Sequence, residues 1–248
     1  MEIDNETRGN IQSFIKNLSR ASDTEIKNYM SEILSDNEFH DSITRSGDDG
    51  SGTKPFSLKV LAMDTTSCLA LYVLCRAMKP SVFVETGVSS GMSSSYILRA
   101  LDKNDFGKLF SIDLPWYTVK HNWSGHGNDD ELQERPIEKN SGWIIPDSLR
   151  DRWELRLGRT SEQLPPLLKS IGSVDIFFHD SEHSYENMSW EFRTIWPSLK
   201  KGGMMVAHNV DKNNAFPDFE AAVGGKSYRL SGKNNAGYLV TTGARIKS

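Results

Sequence analysis

Along the first 45 residues, apolar positions recur at helical spacing in a polar background. Ile11, Phe14, Ile15 and Leu18 form one stripe. Ile26, Tyr29, Met30, Ile33 and Leu34 form a second, after the cap candidates Ser22 and Asp23. The next stretch, SGDDGSGTKP at 46–55, has the composition of a loop. It predicts a division into an N-terminal helical cap with linker (1–55) and a main domain (56–248), the cap being either a tail without a role or a lid or dimer arm.

From residue 57 the period alternates between helix and strand. A largely buried helix is predicted over 58–78, ended by Lys79 and Pro80. SVFVE (81–85), KLFSI (108–112), WELRL (153–157), VDIFF (174–178) and MMVA (204–207) read as short strands. Helices are predicted between them at 93–101, 162–168 and 185–196, with Pro165 and Pro166 either in the first turn of their helix or breaking it. The end of the chain, SYRLSGKNNAGYLVTT, reads as two strands around a turn at 234–237. Strands alternating with helices imply an α/β, doubly wound, mostly parallel sheet with helices on both faces. In such a sheet a ligand binds beyond the carboxyl ends of the strands, where the strand order reverses.

Composition narrows the partners. The chain has 248 residues, 37% hydrophobic and 25% charged, with a formal net charge of −4. No long basic run is present, which argues against non-specific nucleic-acid binding. The N-terminus lacks the basic start and apolar core of a signal peptide. The most apolar stretch, CLALYVLC, is far shorter than the roughly 20 residues a membrane span needs. Cys68 and Cys75 lie two helical turns apart, about 10 Å, too far for a disulfide. The expectation is a cytoplasmic protein with reduced thiols, acting on neither membrane nor nucleic acid.

The most informative segment is VFVETGVSSGMSSS, a strand, a glycine turn and a helix start. Gly87 permits a tight turn and Gly91 opens space at the helix N-terminus, where backbone N–H groups can meet an anion. Ser89 and Ser93 stand beside them. A dinucleotide fingerprint would read G-x-G-x-x-G, and it fails here because position 89 is Ser and position 92 is Met. Glu85 sits two residues before Gly87, where a carboxylate repels a pyrophosphate but suits an amine and a sulfonium. That favours S-adenosylmethionine. Asp113, at the end of the second strand, is placed to accept from ribose hydroxyls.

E-T-G-V-S-S-G resembles the first motif of class I S-adenosylmethionine-dependent methyltransferases. DIFFHDSEHSYENM and LKKGGMMVAHNV resemble, more specifically, the methyltransferase-24-like small-molecule O-methyltransferases, relatives of catechol-type and macrolide-sugar enzymes. The resemblance covers about 58–242. It implies a Rossmann-like seven-stranded sheet whose C-terminal hairpin supplies an antiparallel strand. Asp180 and His183 follow the fourth predicted strand, and His208 and Asn209 the fifth. His183 is the candidate general base, since imidazole titrates near working pH, and it falls where catechol-type enzymes carry a catalytic lysine. Asp180 is the second catalytic candidate. Asp180, His208 and Asn209 are the candidate ligands of a divalent metal, magnesium or manganese, which would lower the pKa of the acceptor hydroxyl. The resemblance implies acids at the positions of both Asp180 and His208; the histidine is a departure that suits magnesium less well. Glu85, Gly87, Ser89, Gly91, Ser93, Asp113 and Asp180 are the candidate cofactor contacts.

Other positions have plainer readings. His179 is expected to face away from Asp180 and to be structural. Tyr185 and Trp190 read as core, Glu186 and Glu191 as a solvated helix face. Trp116, Tyr117, His121, Trp123, His126 and Trp143 fall in a long irregular segment, a candidate lid or acceptor pocket. The function expected is methyl transfer from S-adenosylmethionine to a hydroxyl oxygen of a small molecule. A metal-dependent hydroxylase- or hydrolase-like enzyme and a non-catalytic S-adenosylmethionine-binding protein are the alternatives.

Overall fold

The computed structural model describes residues 1–47, 63–114, 140–233 and 239–247. Three helices open the chain: α1 (Asn5–Leu18), α2 (Asp23–Leu34) and α3 (Asn37–Gly47). Asp4 caps α1 by accepting from the Thr7 N–H, and Ser22 and Glu25 cap α2 reciprocally. After them come α4 (Thr65–Met78), β1 (Val82–Thr86), α5 (Met92–Asn104), β2 (Lys108–Asp113), a 3-10 turn (Asp147–Arg152) and β3 (Trp153–Leu157). The chain continues through α6 (Thr160–Ile171), β4 (Val174–His179), α7 (Tyr185–Ile195), a short 3-10 turn (Trp196–Ser198), β5 (Leu199–Ala207), α8 (Ala215–Val223), β6 (Ser227–Lys233) and β7 (Leu239–Ile246).

The strands form one seven-stranded sheet in the order β3-β2-β1-β4-β5-β7-β6. β1 to β5 pair in parallel; β7 pairs antiparallel with both β5 and β6. The order reverses between β1 and β4, so the exits of these two strands define the crevice expected to take a ligand.

Alternation along the strands divides the core into two layers. Phe83, Ile176, Phe178, Met204 and Val206 face α4, α5 and the N-terminal helices. Val84, Phe177, Met205 and Ala207 face α6, α7 and α8. α4 is buried nearly all round because α1 and α2 cover its outer side. Glu32 of α2 accepts from the Tyr72 hydroxyl and from Arg76 Nε (2.8 Å), and Asp36 pairs with Arg99 at 2.7 Å. The N-terminal helices therefore share one apolar cluster with the sheet.

Several elements differ from expectation. α4 begins at Thr65 because Asp64 caps it, accepting from the Ser67 N–H; residues 58–62 lie outside the described ones. α6 runs unbroken through Pro165 and Pro166 from Thr160 to Ile171. α8 was not expected. Cys68 and Cys75 are buried free thiols. Among the described residues no helix is long and apolar enough to cross a membrane.

Candidate active site

β1 ends in the glycine turn. Gly87 has φ +85°, and a Cβ there would fall inside contact distance of the Asp180 carbonyl. The residue is glycine because the backbone leaving β4 passes against it, and this brings the exits of β1 and β4 together. Gly91, at φ +97°, opens α5; a Cβ would meet Ile145 Cγ1 at 2.7 Å. The strap at 141–145 is held to the turn by Gly142 N–H donating to Ser89 O (2.8 Å) and Ile144 N–H to Ser90 O (3.1 Å).

Two carboxylates hold this turn. Asp113 accepts from the Val88 N–H at 3.0 Å through one oxygen and from the Ser141 hydroxyl through the other. Glu85 is completely buried, accepting from Ser93 (2.6 Å), Ser94 (2.6 Å) and Ser111 (2.8 Å). Burial pushes its carboxyl up to about 7 despite these three hydroxyls.

The second cluster stands across the crevice. Asp180 is tied to β1 through its N–H, which donates to Thr86 O at 2.8 Å. Its Oδ1 lies 2.9 Å from His208 Nδ1 and 3.4 Å from His183 Nε2. His208 Nε2 lies 3.1 Å from Asp64 Oδ2. Burial opposes charge on His208, but the carboxylates of Asp180 and Asp64 outweigh it and lift the ring to about 10. Burial would likewise raise Asp180, but the charge and hydrogen bond of His208, with the His183 ring nearby, hold it well below the usual carboxylate range. His183 is the most open of the three, its side chain 21% exposed against 15% for Asp180 and 4% for His208. Asn213 fixes its backbone, donating to His183 O at 2.9 Å.

The donor chemistry fits a divalent cation. Asp180, His183 and His208 each offer one ligand atom, all within 4.8 Å of one another. Asn209 adopts φ +55°, and its Oδ1 is buried with no hydrogen-bond partner, as a ligand oxygen awaiting a cation would be.

Residues 84–210, from β1 through the exit of β5, match the model of a methyltransferase domain family. The chain belongs to this family of methyltransferase domains. The matched segment contains both the glycine turn and the Asp180 cluster. Solved structures agree on the fold. The O-methyltransferase TomG from Streptomyces achromogenes is 18% identical with a TM-score of 0.59, the match covering 84% of this chain and 90% of that one. The O-methyltransferase from Bacillus cereus is 15% identical with a TM-score of 0.58, covering 94% and 100%. No curated protein matches the chain.

Within this methyltransferase domain, the expected cofactor residues divide by depth. Gly87, Ser89, Asp113 and Asp180 are part-exposed around the crevice, whereas Glu85, Gly91 and Ser93 are buried beneath it. Glu85 and Ser93 are spent on each other and support the turn from behind. Asp180, His183 and His208 come together as expected. Tyr185 is not core: it is 38% exposed and its hydroxyl donates to Asp218 at 2.9 Å. Arg150 and Arg152 pair with Asp147 and Asp105. Trp116, Tyr117, His121, Trp123 and His126 lie outside the described residues.

Glu191 corrects another expectation. It is fully buried, not solvated. One oxygen accepts from Thr86 Oγ1 (2.7 Å) and faces His179 Nδ1 (2.7 Å); the other accepts from Ser181 (2.7 Å) and Asn187 (3.2 Å). Burial works against this carboxylate, but the His179 ring and the hydroxyls keep it below its ordinary range. His179 is structural, as expected, and its ring packs edge-on to His183 at 5.4 Å. Glu191 thus braces the loop that carries His183. Its spacing held the signal: it lies three residues after Met188 and four before Ile195, both buried, so it shares their face of α7. Asp64 was also missed. Its place before an apolar run marks it as a cap, and only the fold brings it to His208.

Proposed function

We propose that the protein transfers a methyl group from S-adenosylmethionine to a hydroxyl oxygen of a small-molecule acceptor. The observation that carries this reading is the junction of the glycine turn and the Asp180–His183 pair at the one crevice where the strand order reverses. Two solved relatives in fold support it: TomG is an O-methyltransferase in complex with S-adenosylmethionine, and the Bacillus cereus enzyme is one in complex with S-adenosylhomocysteine.

S-adenosylmethionine supplies an electrophilic methyl on a sulfonium. Gly87 and Ser89, part-exposed at the β1–α5 turn, would take its methionine end, and Asp113, which also accepts from Val88 N–H and Ser141, would accept from the ribose hydroxyls. Asp180 faces His183 through Nε2, which leaves Nδ1 to take the acceptor's hydroxyl proton as the oxygen bonds to the methyl and the S–CH₃ electrons return to sulfur. Asp180, His208 and Asn209 would hold a divalent cation, whose chemistry is to lower the hydroxyl pKa and orient the oxygen. One imidazole among oxygens favours manganese over magnesium. The two buried free thiols support a reducing, cytoplasmic setting.

The test is methyl transfer from radiolabelled S-adenosylmethionine to a panel of phenols and sugar alcohols. Label in an O-methyl product, lost in His183→Ala with S-adenosylhomocysteine affinity intact, supports the reading. Label recovered on nitrogen or carbon alone contradicts the O-acceptor.

A further inference from the structure

Asp64 lies outside the segment that matches the methyltransferase family, yet its side chain is wholly buried against the site. Its role as cap of α4 uses one oxygen only: Oδ1 accepts from the Ser67 N–H at 2.9 Å. Oδ2 is aimed instead at His208 Nε2, 3.1 Å away. A serine or asparagine would cap the helix as well without burying a charge, so capping leaves the carboxylate unexplained. The surroundings are fitted to it. A Cβ on Gly232 of β6 would lie 2.5 Å from Asp64 Oδ1, so glycine there makes room for the carboxylate. Ser67, one turn on, bonds Thr242 of β7 at 2.9 Å, which fixes the start of α4 to the sheet.

We infer that Asp64 is a positioning residue for the cation site: it holds the proton of His208 on Nε2 and so presents Nδ1, beside Asp180, as the ligand atom. A ring nitrogen can bind a metal only through its lone pair, and the group on the other nitrogen decides which one that is. Asp64 can only accept, so Nε2 donates to it; Asp180 likewise draws a proton to Nδ1 in the metal-free ring, and a cation beside Asp180 displaces that proton to solvent while Asp64 keeps the one on Nε2. Nδ1 then faces Asp180 Oδ1 at 2.9 Å, the side on which the cluster opens to His183. A carboxylate behind a ligating histidine fixes the ring and raises its basicity, and its loss costs about 10- to 100-fold in metal affinity. This inference rests on the proposed cation site and adds the residue that orients it.

The experiment is calorimetric titration of the metal-stripped, full-length protein with Mn²⁺, for the wild type, Asp64→Asn and Asp64→Ser, with S-adenosylhomocysteine titrated in parallel. Both variants keep a capping side chain. Asparagine that caps through its oxygen turns its NH₂ toward His208, which favours the proton on Nδ1 and blocks the ligand atom; serine does not reach the ring. The expected result is Mn²⁺ affinity about 10- to 100-fold weaker in both variants, with S-adenosylhomocysteine affinity unchanged. Wild-type Mn²⁺ affinity in the variants overturns the inference and leaves the cation site standing. A parallel fall in both affinities also overturns it, because the role is then structural. Absence of Mn²⁺ binding by the wild type overturns the cation site and this inference together, while S-adenosylhomocysteine binding still tests the methyltransferase reading.

Discussion

Replacing Glu85 with glutamine separates its electrostatics from its packing. The carboxyl is fully buried, and burial raises it from 4.5 to about 7 against three serine hydroxyls. The folded protein therefore holds this proton more tightly than the unfolded chain does. The stabilisation is fully present below about pH 4.5, is lost as the pH rises to about 7, and changes no further above that. The displacement corresponds to about 3 kcal/mol. Glutamine keeps the shape and can still accept from one serine and donate to another after hydroxyl rotation. It has no proton to lose, so Glu85→Gln lacks this pH dependence. Urea unfolding of ligand-free wild type and variant, measured between about pH 4 and pH 8, gives the difference directly, and titrations common to both proteins cancel. The wild type is expected to lose about 3 kcal/mol relative to the variant across this range. Parallel curves would refute the argument. Because Glu85 lies beneath the turn, the variant should keep its affinity for S-adenosylhomocysteine.

Three other substitutions probe the frame and the chemistry. Gly87→Ala places a Cβ against the Asp180 carbonyl at φ +85° and should destabilise by at least about 2 kcal/mol, seen as a lower Tm. Glu191→Gln removes the buried partner of His179 and should cost about 3 kcal/mol, read from the urea midpoint; a loss under about 0.5 kcal/mol, the scale of surface substitutions, would mean that the network is idle. His183→Ala should lower methyl transfer by about 10²- to 10⁴-fold with no change in S-adenosylhomocysteine affinity in calorimetry; unchanged turnover would remove it as the base.

The layout of the sheet was legible because β1, β4 and β5 are buried on both faces and read as short apolar runs between turn residues. Their tips were legible for the same reason: a polar residue directly after such a run stands at a strand exit, which places Asp180 and His208, with His183 and Asn209 following in the same loops. The hidden parts depend on what packs from a distance. Pro165 and Pro166 suggested either a first helical turn or a break, but they lie inside α6, where packing of Leu164, Leu167 and Leu168 holds the helix through them. α8 carries Pro217 in its first turn, where the missing N–H costs nothing. Glu85 reads from the sequence as an acid facing a ligand, whereas three serine hydroxyls enclose it. Asp64 and His208 are 144 residues apart, and no local pattern could pair them.

The most direct measurement is calorimetric titration of the purified protein with S-adenosylhomocysteine. The account predicts one site per chain with micromolar affinity, because the glycine turn, Asp113 and the Asp180 cluster meet at a single crevice. No heat of binding, in the presence or absence of Mn²⁺, would contradict the assignment of that crevice to S-adenosylmethionine.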